Sequence, residues 1–113
     1  MSETLHQNIE TIEAGYEFLL AYAAQGRESD EGSDTRETLT SMQAAAAEIA
    51  AELAGDDDAF SAVVVDDARK SGAALALVLR QAKISSEMVD NLNASIHLRA
   101  LLTDLFLLSE TAR

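Results

Sequence analysis

The chain has 113 residues, which is enough for one domain and too few for two of ordinary size. It has no cysteine, which excludes disulfides and cysteine-based metal or catalytic sites, and its net charge of −12 disfavours binding to nucleic acids and anionic membranes. It also has no proline, which favours long helices, and we therefore predict one helical domain over residues 1–113.

The first predicted helix covers residues 4–25. Its apolar side chains recur at alternating intervals of four and three residues, at Leu5, Ile9, Ile12, Tyr16, Leu19 and Ala23. This spacing is typical of a helix that packs in a bundle. Gly26 follows as a stop signal, and a polar loop comes after it.

The second predicted helix covers residues 34–54. Asp34 and Glu37 have the spacing of a capping box, in which a short oxygen side chain and a glutamate three residues later both bond the first turn. The apolar stripe consists of Leu39, Met42, Ala46, Ile49 and Leu53. The helix is rich in alanine, which lets a neighbouring helix approach closely but buries little area.

The third predicted helix covers residues 57–82. Asp56, Asp57 and Asp58 supply a cap and negative charges that suit the positive end of the helix dipole. Its apolar stripe consists of Phe60, Val64, Ala68, Leu75, Val78, Leu79 and Ala82. We therefore predict a helix through Val63, Val64 and Val65, although a valine run taken alone resembles a strand.

The fourth predicted helix covers residues 86–110 and carries two apolar faces. One consists of Leu98, Leu101, Leu102 and Leu105. The other consists of Val89, Leu92, Ile96 and Leu107, displaced by roughly 150° around the helix. Because the turns before the third and fourth helices are short, we predict an all-α, antiparallel, up-down-up-down four-helix bundle.

The second face of the fourth helix predicts an interaction surface. A bundle helix normally buries one apolar stripe, so the surplus face needs a cover. Phe18 and Tyr22 lie four residues apart on the outer side of the first helix and extend the predicted surface. We expect a symmetric homodimer, the commonest closed assembly. The alternative is an irregular bundle in which the first two helices wrap a central fourth helix.

Three polar residues of the fourth helix, Asn93, His97 and Asp104, share one strip that we expect to face water. A histidine on a helical bundle also suggests phosphotransfer. However, no glycine stands beside His97 to admit a donor domain, and Arg99 points to a different side. We therefore interpret His97 as a solvent-facing or interface residue.

Two charged residues fall within apolar stripes: Asp67 on the third helix and Arg99 on the fourth. If the two helices pack as an antiparallel pair, both residues reach similar heights. We predict a partly buried ion pair between them that fixes the register of the helices. The alternative is that each side chain extends independently to water.

The sequence offers no complete catalytic, metal or cofactor site. His6 shares a helical stripe with Glu10, Glu13 and Glu17, but the ligand set is incomplete for a metal, and no Glu-x-x-His motif is present. Glycine-rich phosphate loops are also absent. We therefore predict no enzymatic activity and no cofactor.

The leading hypothesis for function is a small acidic interaction or regulatory module. It self-associates through the fourth helix, and its charge attracts a basic protein partner. Without a secretory signal or an apolar run approaching the roughly 20 residues of a membrane span, we expect a cytoplasmic protein.

One alternative function is a binding site for a small apolar ligand or cofactor, lined by Tyr16, Phe60, Leu75 and Phe106. Another is an acidic DNA mimic that inhibits a nucleic-acid-binding protein.

Overall fold

A computed structural model describes residues 1–112, and within that range the chain forms five α-helices and no strand. The helices are α1 (Glu3–Ala23), α2 (Thr35–Leu53), α3 (Ala59–Leu79), α4 (Ser86–Ala94) and α5 (His97–Thr111). The all-helical prediction is confirmed, but the predicted fourth helix is two helices.

Each helix has a defined set of neighbours. α1 packs against α2, and α2 packs against α3. α4 contacts chiefly α1, whereas α5 contacts chiefly α3. One apolar core joins all five helices, and its most deeply buried side chains include Ile12, Leu39, Ile49, Leu75, Val89, Leu98 and Leu105. The two halves of the predicted fourth helix therefore serve different neighbours.

The predicted cap at the start of α3 is confirmed, whereas the predicted cap at the start of α2 is not formed. The Asp58 side chain accepts a hydrogen bond from the Phe60 amide at 2.8 Å, as expected of a cap. Asp34 makes no capping bond, because its backbone (φ −82°, ψ 10°) is not in the extended conformation that capping requires. The Ser33 hydroxyl accepts from the Thr35 amide instead, at 3.2 Å.

The α1–α2 loop is bonded to the start of α4. The Tyr22 hydroxyl donates to the Ile84 carbonyl at 2.6 Å, and the Ser86 hydroxyl donates to the Tyr22 carbonyl at 2.7 Å. The Arg27 amide donates to the Ser86 hydroxyl, and the Ser86 amide donates to the Arg27 carbonyl, both at 2.8 Å. These bonds enclose the Tyr22 side chain, which is fully buried.

Arg36, in the first turn of α2, holds the end of α3. Its guanidinium donates to the Leu79 carbonyl at 2.9 Å and to the Gln81 carbonyl at 2.8 Å. It also pairs with Asp30 at 3.2 Å, and Asp30 accepts a further bond from the Ile84 amide at 2.9 Å. The carbonyls at the end of a helix lack partners within the helix, so Arg36 acts as a cap supplied by another element.

A break at Ile96 separates α4 from α5. Ile96 has a φ of +67°, the left-handed conformation that side chains branched at Cβ rarely adopt, and it is 58% exposed. Before the break, the Ser95 hydroxyl donates to the Leu92 carbonyl at 2.6 Å. The break changes the direction in which apolar residues point, so Val89 and Leu92 are buried within the chain itself.

We expect the Ile96→Gly variant to be more stable than the wild type by about 1 kcal/mol, because glycine adopts a positive φ without the steric cost that isoleucine bears. Chemical denaturation followed by circular dichroism measures the difference. Leu77→Gly, which changes an exposed leucine inside α3, is the control and should lose about 1 kcal/mol. A loss of stability in Ile96→Gly would contradict the strain at this position.

Candidate functional site

Half of the predicted interaction surface lies inside the molecule. Tyr22, Val89 and Leu92 are all buried in the core of their own chain. The prediction that they form an exposed face is wrong, because the bend at Ile96 lets α4 lie against α1. The surplus apolar face of a straight fourth helix is therefore largely covered from within.

The other half of that surface is only partly accessible. Phe18 is half-buried and stacks on Tyr22, with 6.4 Å between ring centroids and an interplanar angle of 11°. Ile96 is exposed at the bend, and Leu107 is 51% exposed near the end of α5. Leu107 borders an apolar depression.

A groove lies between the first turns of α3 and the last turns of α5, and we call it the α3–α5 groove. Its volume is about 260 Å³, and it is lined by Asp58, Phe60, Ser61, Leu107, Leu108 and Thr111. Phe60 and Leu108 are half-buried and pack on the core, which fixes the floor of the groove. Leu107 projects more freely at its edge. The site is therefore apolar at its centre.

Three consecutive aspartates, Asp56, Asp57 and Asp58, precede α3, and we call them the acidic turn; Asp58 lines the groove, whereas Asp56 lines a separate depression beside α2. Asp56 accepts from the Asp58 amide at 3.1 Å and from the Ser61 hydroxyl at 2.9 Å. These bonds, the backbone one foremost, hold the pKa of the Asp56 carboxyl below its usual value. Asp56 is therefore ionised at neutral pH and adds negative charge to the turn that leads into Asp58.

Two carboxyl groups meet further along the contact of α3 and α5. Asp67 on α3 lies within hydrogen-bonding reach of Asp104 on α5, and both side chains are half-buried. The Oδ2 atom of Asp104 is inaccessible to water and has no hydrogen-bond donor among residues 1–112. Burial, with the hydrogen bond and negative charge of Asp67, raises the pKa of Asp104 to about 7.

The expected ion pair between Asp67 and Arg99 is not formed. In the part of the chain that the structure describes, no ion pair joins the two residues, and Arg99 is exposed. The start of a new helix at His97 sets the orientation of α5, which turns Asp104 towards Asp67 and leaves Arg99 in solvent.

The predicted polar strip lies at helix contacts rather than in water. The Asn93 side-chain amide donates to the Leu19 carbonyl at 3.4 Å, and its Oδ1 atom is buried. His97 is half-buried, and its carbonyl accepts from the Ser71 hydroxyl at 3.0 Å. Asn93, His97 and Asp104 are therefore partly buried at helix contacts and do not form a fully solvent-facing strip.

The four residues predicted to line a ligand cavity do not come together. Phe60 and Leu75 lie fifteen positions apart on α3, which is roughly 22 Å along the helix. Leu75 is fully buried and Phe106 is exposed. A larger open groove of about 460 Å³ lies elsewhere, between α1 and α2, with Phe18 in its lining. These four residues therefore do not line one cavity.

Metal ligands are not grouped within residues 1–112, where no three His, Asp or Glu side chains are placed to hold one ion. His6 and Glu10 approach to 3.3 Å on the exposed side of α1.

None of the described helices is long and apolar enough to cross a membrane. No family model matches the chain, and comparisons with curated proteins and with solved structures find no match.

Proposed function

We propose that the protein is an acidic, non-enzymatic interaction module that binds a basic amphipathic segment of another protein in the α3–α5 groove. The observation that carries the proposal is an apolar groove that has Asp58 in its lining, with two further aspartates directly before it in the chain. Such a site suits a segment that presents apolar anchors on one side and lysine or arginine on the other.

The apolar part of the groove supplies anchoring area. Leu107 is about half exposed, and Phe60 and Leu108 present part of their side chains between the two helices. Binding energy at interfaces concentrates on a few such side chains once a partner excludes water from them. An anchor of one or two leucine-sized side chains matches a groove of about 260 Å³.

Charge favours a basic occupant over a second copy. The chain carries a net charge of −12, and two copies would bring their acidic turns and their overall negative fields together. A basic segment is attracted by the same field, which raises its association rate and makes binding sensitive to salt. Asp58 adds a carboxyl group beside the apolar floor, and the rest of the acidic turn directly precedes it.

The test uses a fluorescent, helical peptide of alternating leucine and lysine faces as the probe, with binding followed by anisotropy. We expect Leu107→Glu to weaken binding about tenfold or more, because it places a charge on the apolar anchor. Leu77→Glu is the matched control, since Leu77 is 53% exposed and lies on α3 roughly 25 Å from Phe60. Equal loss in both variants would contradict binding in the groove.

The acidic turn is tested separately with Asp57→Asn, which removes one charge without touching the cap at Asp58. We expect binding of the same peptide to weaken by a few-fold at low salt and to become less dependent on salt. An unchanged salt dependence would show that the acidic turn does not contact the probe.

Self-association is the second candidate, because Phe106 and Leu107 are both exposed on α5. Light scattering over a range of concentrations distinguishes the two. If the wild type is a dimer and Leu107→Glu is a monomer, the groove is occupied by a second copy of the chain and not by a basic partner.

The DNA-mimic hypothesis stays a prediction that rests on the exposed row Glu10, Glu13 and Glu17. Competition with DNA for a nucleic-acid-binding protein tests it.

For the fold, we propose that α4 and α5 together serve as the fourth member of an antiparallel bundle. Two contacts support this arrangement for α1 and α2: Ser2 donates to Glu52 at 2.6 Å, and Asn8 donates to Glu48 at 3.5 Å. The partner number falls as the α1 number rises, which is the relation expected of helices that run in opposite directions.

A further inference from the structure

The contact between Asp67 and Asp104 plays no part in the α3–α5 groove. It destabilises the fold if both carboxyl groups are ionised, because the two negative charges repel each other. We propose that the two carboxyls form a pH-sensitive latch, which holds α5 against α3 while they share a proton and loosens α5 when both are ionised. This inference does not depend on the proposed function.

The geometry supplies the reason for a shared proton. Asp104 Oδ2 is inaccessible to water, and no donor from residues 1–112 reaches it. Buried polar atoms are nearly always hydrogen-bonded, and an unpartnered carboxylate oxygen is costly. A proton held between Asp67 and Asp104 converts one carboxyl into a donor and satisfies the buried oxygen.

The surrounding charges do not relieve the repulsion. On α3, the neighbouring Asp66 and Lys70 pair with each other at 2.9 Å on an exposed side of the helix, and Arg69 is exposed beside α2. On α5, Arg99 is exposed and His97 is half-buried, and neither is among the groups that shift the pKa of Asp104, which are burial and Asp67. The acidic side chains of α1 and α4, the other helices packed against α5, are all exposed: Glu3, Glu10, Glu13, Glu17, Glu87 and Asp90.

The break at Ile96 gives α5 a point about which it can move. The residue connects α4 to α5 in a left-handed conformation, so the two helices do not form one continuous hydrogen-bonded rod. Beyond the break, Leu98, Leu101 and Leu105 are fully buried and would gain exposure if α5 moved away. Ionisation of the latch therefore acts on a helix that is separable from α4.

The direction of the pH effect follows from the raised pKa. The ordinary pKa of an aspartate is 3.8, and that of Asp104 in the folded protein is about 7. Between these values the folded state keeps a proton that the unfolded state has released, so stability falls as pH rises. The latch is complete at acidic pH and is lost as the pH passes through about 7.

Hydrogen exchange tests the latch. Backbone amide exchange, corrected for intrinsic rates, is measured at about pH 5.5 and about pH 8.5. We expect α5 in the wild type to lose protection on the order of tenfold at the higher pH relative to α1 and α2. Asp104→Asn, which keeps a donor at every pH, should abolish that difference, and the exposed-site control Asp90→Asn should retain it.

Two results would overturn the inference. One is an equal pH-dependent loss of α5 protection in the wild type and in Asp104→Asn. The other comes from the wild type alone: the carboxyl carbon of Asp104 is followed by NMR, and a titration midpoint near the ordinary value of 3.8 rules out proton sharing. This second measurement stays decisive if Asp104→Asn does not fold.

Discussion

Arg36→Met is expected to lower the free energy of unfolding by about 2–3 kcal/mol, since it removes charge-assisted hydrogen bonds and leaves partly buried groups without a partner. The Arg36 guanidinium bonds the carbonyls of Leu79 and Gln81 at the end of α3 and pairs with Asp30 in the α1–α2 loop. One side chain thus joins three segments of the chain.

Urea denaturation followed by circular dichroism measures the loss. Arg99→Met is the matched control: Arg99 is exposed and forms no ion pair within residues 1–112, so its replacement should change stability by less than about 0.5 kcal/mol. Equal stability of the two variants would mean that the Arg36 contacts contribute little. A loss of stability in Arg99→Met alone would support the predicted ion pair between Arg99 and Asp67.

The Arg36 effect should also depend on pH. Burial tends to raise the pKa of Asp30, but bonds from the Ile84 amide and from Arg36 outweigh it and hold the pKa below 3.8. A lowered carboxyl pKa contributes stability that is present above the ordinary value and is lost as the pH falls through the lowered one. The difference between the wild type and Arg36→Met should therefore shrink in strong acid.

Gly15→Val is expected to cost about 2–4 kcal/mol, because the position has no room for a side chain. A Cβ atom at Gly15 would lie 2.5 Å from both Cγ and Sδ of Met42, and Met42 is fully buried. The clash involves the middle of the methionine side chain rather than its free end, so α1 and α2 would have to separate. The close approach of these helices therefore depends on this glycine.

Gly72 provides the matched control for Gly15. It also lies inside a helix, α3, but a Cβ atom there would meet nothing within 4 Å. We expect Gly72→Val to change the free energy of unfolding by no more than about 0.5 kcal/mol, because the gain from replacing glycine offsets the low helix propensity of valine. A Gly15→Val variant as stable as Gly72→Val would contradict the tight α1–α2 contact.

Apolar periodicity predicted the first three helices to within three residues at each end. It could not predict the break at Ile96, because neither glycine nor proline marks it, and a left-handed isoleucine is contrary to residue preference. Once a straight helix was assumed, Val89 and Leu92 had to be assigned to an outer face. The predicted dimer surface is largely a consequence of that single assumption.

The candidate site was only partly visible in the sequence. The sequence shows Asp67 as a polar residue beside an apolar stripe and suggests a partner of opposite charge, whereas the structure places another aspartate there. Which side of α5 faces α3 depends on the break, so Asp104 could not be selected. The sequence predicts Phe60 as a core residue and Asp58 as part of a cap, and only the packing of α5 joins them to Leu107 and Leu108.

The bonds between the α1–α2 loop and the start of α4 have a consequence for the order of folding. Helices adjacent in the chain meet after closing short loops, whereas the bond between Ser86 and Tyr22 joins residues 64 positions apart. Contacts of such long sequence separation carry a larger entropy cost of closure and form slowly. The burial of Tyr22 is therefore a step that requires the chain from α1 to the start of α4 to be in place.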